Sequence, residues 1–360
     1  MSTIRKVAQA AGVSIATVSR VINHRASVTE EVRTKVLEAV NRCGYVPAVS
    51  RRNTALLALV YAGPASPGSS FDAALVEGMR LAMDSVDYDL VMLNPARDRA
   101  ADETYTQYFL RKGVRGVILR STAGFRAVCE EIAAEDFPAV VVGDRFPNSR
   151  LSFVYADSYG ASKRAIGHLL ALGHRRIAFA ANESDDADHA DRYRGYGDAM
   201  REAGATLHAD LVFRVPARRP DGVQLLRNLM SAPTPPTAVY ITDPAVAVGL
   251  VNEAHRMQVA IPRELSVIGF DDRDTRNYVH PKMTAVCQDA THLGRVAMLH
   301  LAALVEAGRH DVASPPPAST WLELNATTAP PPQGTVRVLH DGTRLDVPQA
   351  LPPRRKSARR

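Results

Sequence analysis

Apolar residues recur at helical spacing in three short segments of the first 47 residues. Within 3–11 and 14–23 they repeat at i, i+3 and i+4, which predicts one buried face on each of two short helices. Gly12 lies between these helices, and its tolerance of a positive φ suits a tight turn. Ser14 is a good N-cap for the second helix, because its hydroxyl accepts from first-turn N–H groups. A third helix is predicted after the N-cap Thr29, with four apolar residues turned inward: Val32, Val36, Leu37 and Val40.

Two short helices, a glycine turn and a polar outer face on the second helix are typical of a DNA-reading helix-turn-helix. Thr17, Arg20 and Asn23 lie off the apolar stripe and form that outer face. Any small three-helix domain packs in the same way, so the periodicity by itself leaves a purely structural domain as the alternative.

From residue 56 the pattern changes to short apolar runs that alternate with amphipathic helices. Four runs, at 56–61, 88–93, 114–119 and 139–143, predict one parallel, doubly wound sheet with right-handed crossovers. A second unit of the same type begins at 154 and includes a long amphipathic helix at 291–306. The predicted fold is an all-α headpiece over 1–47, a short linker over 48–55 and an α/β core of two lobes over 56–330.

The charge is concentrated at the two ends of the chain. Residues 1–54 carry nine Lys and Arg against three Asp and Glu, a net +6. Residues 331–360 carry +5, so that −5 is left for the middle of a chain whose total is +6. A basic head and tail on an acidic body indicate a polyanionic partner at the ends. The tail, 331–360, is rich in Pro and Arg, lacks a leucine heptad and is predicted to be disordered; PPRRKSARR either adds nonspecific DNA affinity or has no function.

Several classes of protein are disfavoured by what the 360 residues lack. The N-terminus shows no signal peptide and no apolar run approaches membrane-spanning length, so we expect a cytoplasmic protein. Cys43, Cys129 and Cys287 are scattered and fit neither a disulfide framework nor a metal site. There is no Gly-x-Ser-x-Gly elbow, no P-loop and no His/Glu cluster, so neither an enzyme nor a cofactor or metal is expected.

The runs TIRKVAQAAGVSIATVSRVIN and VTEEVRTKVLEAVNRCGYVP resemble the headpiece of the lactose/galactose repressor (LacI/GalR) family. Farther on, LLALGHRRIAF, RYRGYGDAMREAG, IPRELSVIGFDD and HPKMTAVCQD resemble its sensor core, so the resemblance extends from residue 3 to about 330. It implies a two-lobed core like that of a periplasmic binding protein, in a transcriptional repressor controlled by a small polar metabolite, a sugar or a derivative. One departure is Asn325, which stands where the family's terminal signature has arginine.

The resemblance also implies which headpiece residues contact DNA. It places base contacts at Ile15, Ala16 and Arg20, where arginine can offer a bidentate fork to guanine. Short polar residues around them suit phosphate contacts, or are simply exposed helix residues: Thr3, Ser14, Thr17, Ser19 and Asn23.

The linker departs from the family pattern, because it is short and has no leucine in the register of the residue that kinks the operator. Arg51 and Arg52 could enter a minor groove, or the linker could be solvated and touch phosphates only. We therefore expect an operator that is bent less than is usual for the family.

Four charged residues match effector positions of the family at the cleft, where ligands bind at the carboxyl ends of the strands. Asp144 follows VVVG, Arg192 opens RYRGY, and Asp271 follows the strand in GFDD. Asp243 matches less well, because Thr242 precedes it and the following spacing is shifted by one. Carboxylates and guanidinium groups recognise sugar hydroxyls, but the same residues could form salt bridges between the lobes. The aromatic residue expected after Gln288-Asp289 is replaced by Ala290.

The combined prediction is a homodimer in which two headpieces read a pseudo-palindromic DNA operator and a small effector binds the core, with no membrane partner. A dimer is expected because one headpiece buries too little surface for high specificity. The competing reading is a periplasmic binding protein, against which the fused headpiece and the missing signal peptide argue.

Overall fold

The computed structural model describes residues 4–22, 28–43, 55–61, 68–120, 124–148, 150–183, 186–307 and 312–347. The chain divides into two compact units, Met1–Thr54 and Ala55–Arg360. Thr3, Asn23, Arg51 and Arg52, with the rest of the predicted linker up to residue 54, lie outside the described residues.

The described residues of the first unit form three helices: α1 (Ile4–Ala11), α2 (Ile15–Ile22) and α3 (Glu30–Cys43). One residue pair from each helix is buried in the small core: Val7 and Ala8, Val18 and Val21, Val36 and Ala39. Gly12 takes φ +64°, and the Val13 N–H donates to the Ala8 carbonyl, which closes the turn that the sequence predicted.

The second unit begins with a five-stranded parallel sheet, which with its helices forms the first lobe. Its strands are β1 (Ala55–Tyr61), β2 (Tyr88–Leu93), β3 (Val114–Arg120), β4 (Ala139–Val142) and β5 (Ser152–Val154), in the order β2-β1-β3-β4-β5. Its helices are α4 (Ser70–Met83), α5 (Pro95–Asp98), α6 (Tyr105–Arg111) and α7 (Arg126–Ala134).

The second lobe is built on a six-stranded sheet in the order β11-β10-β9-β8-β6-β7. The strands are β6 (Ile177–Asn182), β7 (Val212–Val215), β8 (Ala238–Ile241), β9 (Ser266–Asp271), β10 (Thr284–Gln288) and β11 (Thr320–Glu323). All pairs are parallel except β10 with β11. The helices α8 (Ser158–Ala171) and α9 (Ala187–Glu202) cover one face of this sheet, and α10 (Arg219–Ser231) and α11 (Pro244–Arg256) cover the other. The two doubly wound lobes confirm the predicted α/β core.

The long helix α12 (Ala290–Ala307) belongs to the first lobe, not to the second unit in which its sequence position had placed it. It packs on α4 at backbone distance: a Cβ built on Gly294 would lie 1.9 Å from the Leu75 carbonyl oxygen, and one on Gly78 1.8 Å from the Thr291 carbonyl oxygen. The chain therefore crosses between the lobes near residues 157, 289 and 319. The order of elements along the chain could not show this return, because the partner of α12 is more than 200 residues away.

The C-terminal segment corrects a second prediction. Residues 331–347 are ordered and include an antiparallel hairpin of β12 (Thr335–Val338) and β13 (Arg344–Val347). Val338 is fully buried among the apolar residues of α10 and α11, and Arg337 Nε donates to the Ser231 carbonyl at 2.7 Å. A high content of Pro and Arg had suggested disorder, but two alternating valines are enough to attach the hairpin. Residues 348–360 lie outside the described part.

Candidate functional site

The outer face of α2 has the composition of a DNA-reading surface. Ser14 caps the helix, since its Oγ accepts from the Thr17 N–H at 3.1 Å. Val18 and Val21 are buried, whereas Ile15, Ala16 and Arg20 are exposed on the other side. Thr17 and Ser19 are half-buried at the edge of that face. The structure therefore leaves an exposed arginine and two short apolar side chains together on one accessible surface.

The second candidate site lies between the lobes of the core, where residues that follow the strands of one lobe meet residues of the other. Asp144, after β4, is buried, and its Oδ1 accepts from the Ala187 N–H of the second lobe at 2.8 Å. Ser70, at the start of α4, donates to Asp272 Oδ2 after β9 at 3.0 Å. Asp144 thus contacts the second lobe through a backbone N–H, whereas its ion pair, at 3.6 Å, is with Arg126 of its own lobe and does not cross between the lobes.

Arg145, which the sequence did not predict as a site residue, makes a further interlobe contact. Its guanidinium forms a close ion pair with Asp191 on α9 and lies 3.7 Å from Asp188 Oδ1. The same group stacks on the Tyr155 ring at 4.6 Å from the ring centre. Its position directly after Asp144 is the only signal in the sequence that could have suggested it.

Arg192 is buried in the second lobe, and its role in binding an effector stays a prediction. Its Nη1 donates to the Thr242 carbonyl at 3.0 Å, and its guanidinium carbon lies 3.9 Å from the centre of the Phe270 ring. Its Nε is buried and has no hydrogen-bond partner among the described residues. Asp188 precedes Arg192 by four positions and therefore shares its helix face, a spacing that could have identified Asp188 from the sequence.

Asp271 is not available to bind a ligand in the cleft. Its assignment as an effector-binding residue is therefore corrected. It is fully buried and accepts from the backbone N–H groups of Arg273, Thr275 and Arg276 at 3.0–3.2 Å. The Arg276 guanidinium also donates to it at 2.6 Å. Its oxygens are therefore occupied by its own loop.

The neighbouring Asp272 takes the position expected of Asp271. Successive residues at a strand end point to opposite sides, so Asp272 lies on the side of Arg192. It accepts from Ser70 of the first lobe and from Gln288 Nε2 at 2.6 Å. The sequence shows that two carboxylates follow the strand, but it does not show which side of the sheet each of them faces.

Asp243 caps α11, since its Oδ1 accepts from the N–H groups of Ala245 and Val246 at 2.9 and 3.1 Å. Capping the helix therefore occupies one of the two carboxylate oxygens of Asp243. Burial raises the pKa of Asp243 despite these two bonds.

Burial dominates the electrostatics of the cleft carboxylates. Loss of water raises the pKa of Asp188 to about 7, with a further rise from Asp186 and Asp191, against the lowering effect of Arg192 and Arg145. Burial likewise raises the pKa of Asp272 to about 6, although Gln288 and Ser70 stabilise its charged form. Shifted carboxylates that cluster in a cleft are typical of a functional site.

Five buried polar atoms around this cleft have no hydrogen-bond partner among the described residues: Arg145 Nη1, Asp188 Oδ1, Arg192 Nε, Thr242 Oγ1 and Gln288 Oε1. Buried polar groups are normally satisfied, so such a concentration indicates a site for a polar ligand. Two of the atoms are donors, two are acceptors, and the hydroxyl can act as either. In the described part of the chain, no group of three or more His, Cys, Asp or Glu is arranged to hold a metal ion. None of the helices described there is long and apolar enough to cross a bilayer.

Models of two protein families match the chain. The model of bacterial regulatory proteins of the lacI family matches residues 3–48, and that of the periplasmic binding protein-like domain matches residues 166–321. The HTH-type transcriptional regulator RegA of Clostridium saccharobutylicum is 30% identical over 307 residues, 84% of this chain and 92% of RegA. Catabolite control protein A of Priestia megaterium is 28% identical over 299 residues, 82% of this chain and 90% of that protein.

Two solved structures are similar over both the helical unit and the core. A complex of the transcriptional regulator CelR with cellobiose is 27% identical with a TM-score of 0.67, and the match covers 91% of this chain and 100% of CelR. The Lac repressor dimer bound to operator and the anti-inducer ONPF has 22% identity and a TM-score of 0.72, with 91% and 99% of the two chains covered. The second similarity concerns the fold alone, and it agrees with the predicted headpiece and two-lobed core.

Proposed function

The chain belongs to the lacI family of bacterial regulatory proteins, and from this we propose that it represses transcription under the control of a polyhydroxylated metabolite. Its relative RegA is named an HTH-type transcriptional regulator, which agrees with the prediction of a regulator instead of an enzyme. The alternative of a periplasmic binding protein loses its support, because the family match includes the headpiece.

The observation that carries the proposal is the mixed set of unpartnered donors and acceptors in the cleft. A hydroxyl group both donates and accepts, so a sugar or a sugar derivative can satisfy Arg192 Nε, Asp188 Oδ1 and Gln288 Oε1 together. A ligand that only accepts would leave the two acceptors without a hydrogen bond, and a ligand that only donates would leave the two arginine donors without one. The similar regulator CelR was solved with cellobiose, which supports a ligand of this class.

Control of DNA binding follows from the position of the groups on two lobes. Arg145 and Ser70 come from the first lobe, whereas Asp188, Arg192 and Asp272 come from the second. A ligand that bonds to both lobes favours their closed arrangement by its differential affinity for that state. Coupling between effector and operator is typically 1–3 kcal/mol, or roughly 5- to 150-fold in affinity.

We further propose that the protein acts as a homodimer on a pseudo-palindromic operator. One headpiece is too small for high specificity, and two copies related by a twofold axis would read two half-sites. Large apolar side chains are exposed on both lobes, Leu81 and Met92 on the first and Tyr278 on the second, and a partner subunit could cover them.

The test begins with the operator, which the full-length protein would select from a library of random DNA duplexes. Binding to the selected duplex is then measured with and without each member of a panel of mono- and disaccharides. We expect at least one sugar to change operator affinity, and Arg192→Ala to abolish that response while sugar-free DNA binding is retained.

Arg194→Ala is the matched control, because Arg194 lies two positions along the same helix but is exposed. This variant should respond like the wild type. A normal response from Arg192→Ala would remove Arg192 from the effector site. Loss of DNA binding without sugar would instead indicate that Arg192 is needed for the fold.

A further inference from the structure

Three carboxylates interact with the single guanidinium of Arg192, while Arg145 and His189 act on two of them from elsewhere in the cleft. The three carboxylates are those of Asp188, Asp243 and Asp272, and each interacts electrostatically with the Arg192 guanidinium. Yet within the described residues no carboxylate forms an ion pair with Arg192 at 4.0 Å or less. Asp243 and Asp272 are held by neutral partners, namely backbone N–H groups, Ser70 and Gln288.

Asp188 is the least satisfied of these carboxylates. It is buried, and its Oδ1 accepts no hydrogen bond from the described residues. Arg145 faces it from the first lobe at 3.7 Å, beyond hydrogen-bond distance, while that arginine is committed to Asp191. From its own helix, Asp188 is faced by Arg192, Asp191 and the N-cap Asp186, so two of these three neighbours are also acidic.

Arg145 gives Asp188 an ion pair at 3.7 Å but no hydrogen bond, so a donor that carries positive charge suits this corner of the cleft. A neutral hydroxyl could bond to Asp188 Oδ1 but would not stabilise its charged form, which is costly to bury. A metal ion is not supported, because no group of ligating residues in the described ranges is arranged for one. A protonated amine supplies both the donor and the charge, and its hydrogen bond to a carboxylate is stronger than a neutral one.

We infer that the effector is an amine-bearing polyol, of the chemical class of amino sugars, whose ammonium group pairs with Asp188 while its hydroxyls satisfy Arg192, Thr242 and Gln288. This inference rests on the proposed function and specifies its ligand.

The raised pKa of Asp188 provides a second, independent test of the inference. Because burial raises the pKa of Asp188 to about 7, a fraction of the molecules carries a proton there at neutral pH. An ammonium group beside it favours the carboxylate form and expels that proton. Binding of an amine near pH 6–7 should therefore release a proton from the protein, whereas binding of a neutral sugar should not.

The experiment is calorimetry on the full chain with matched pairs of probes in which amines replace hydroxyls. One amine distinguishes D-glucosamine from D-glucose and D-galactosamine from D-galactose, and two distinguish fully deacetylated chitobiose from cellobiose. At pH 7, where the amino sugars are mostly in the ammonium form, we expect at least one amine to bind roughly tenfold or more tightly than its neutral partner, which corresponds to one charge-assisted bond. The preference should shrink below pH 6, and titrations in buffers of different ionisation enthalpy should show proton release for the amine alone.

Asp188→Asn should abolish the preference for the amine and the proton release, and Asp188→Ser provides a smaller neutral replacement if the amide disturbs folding. Asp198→Asn, at a half-buried position on the same helix where the carboxylate pairs with Arg201, is the control and should keep the preference. An Asp188→Asn protein that still prefers the amine would overturn the inference.

The outcomes separate this inference from the proposed function. If neutral sugars bind as tightly as their amine partners, the inference is overturned and the proposed function stands. If neither class of probe binds or changes operator affinity, both are overturned. Tighter binding of an amine, lost with Asp188, supports both.

Discussion

Asp144 Oδ1 accepts a hydrogen bond of 2.8 Å from the backbone N–H of Ala187, so that a carboxylate of the first lobe lies against the N-terminus of a helix in the second. A negative charge is favourable there, because the first N–H groups of a helix lack partners within it. The next residue, Arg145, pairs with Asp191 on the same helix. Two consecutive residues of one loop therefore hold the lobes together.

This relationship predicts that Arg145→Ala loosens the contact between the lobes. Hydrogen–deuterium exchange should become faster in peptides that span residues 141–147 and the first turns of α9, because their shared contacts are lost. Arg194→Ala is the control: it removes the other cation of Asp191, at 2.8 Å, but lies in the second lobe and should leave exchange in the first lobe unchanged. Equal rates of hydrogen–deuterium exchange in both variants would show that Arg145 does not stabilise the contact between the lobes.

In the headpiece, Arg20→Ala is expected to remove the preference for the operator while weak, salt-sensitive DNA binding remains. The exposed guanidinium can supply a bidentate contact to guanine, worth roughly 1–3 kcal/mol of discrimination, whereas phosphate contacts by other residues persist. The measurement is competition between the selected operator and a scrambled duplex at two salt concentrations. Lys35→Ala, which breaks an exposed pair with Glu31 on α3, should keep the selectivity. A variant at Arg20 that is as selective as the wild type would contradict the assignment.

The stability of the core should depend on pH through Glu253. Hydrogen bonds from Arg256, and then from Arg227, lower the pKa of Glu253 to about 2. Since this pKa is depressed on folding, the stabilisation is complete above the ordinary value near 4.5 and is lost as the pH falls towards 2. Glu253→Gln should therefore lower the free energy of unfolding at pH 7 by about 1–3 kcal/mol, a range reduced for solvent screening around the exposed Arg256.

Urea unfolding at pH 7 and at pH 3 measures this difference, which should be smaller at the lower pH. Glu77→Gln, which breaks the exposed pair with Arg80, is the control and should have little effect at either pH. A cost that does not change with pH would rule out the ionised pair as its source.

The C-terminal hairpin is expected to contribute to the stability of the second lobe. Val338→Ala removes two buried methyl groups and should lower the free energy of unfolding by about 1–3 kcal/mol. Leu345→Ala removes more atoms, but from an exposed side chain on β13, so it should change stability less. The same effect from both substitutions would mean that the hairpin is not attached through Val338.

Local patterns determined much of this protein. The 3.6-residue repeat and the turn at Gly12 predicted the three helices of the headpiece, because each depends on neighbours within a few positions. Apolar runs separated by amphipathic helices predicted the doubly wound lobes for the same reason. The family resemblance placed Arg192, which opens RYRGY, and Asp144, which follows VVVG, at the cleft.

Only the tertiary structure decided which groups meet across the chain. Whether Asp271 or Asp272 reaches the cleft depends on the side of the sheet that each faces, and the Arg145–Asp191 pair joins residues 46 positions apart. The return of α12 to α4 and the attachment of the hairpin to α10 depend on surfaces formed by distant segments. Long-range packing makes these choices, and neither periodicity nor composition contains that information.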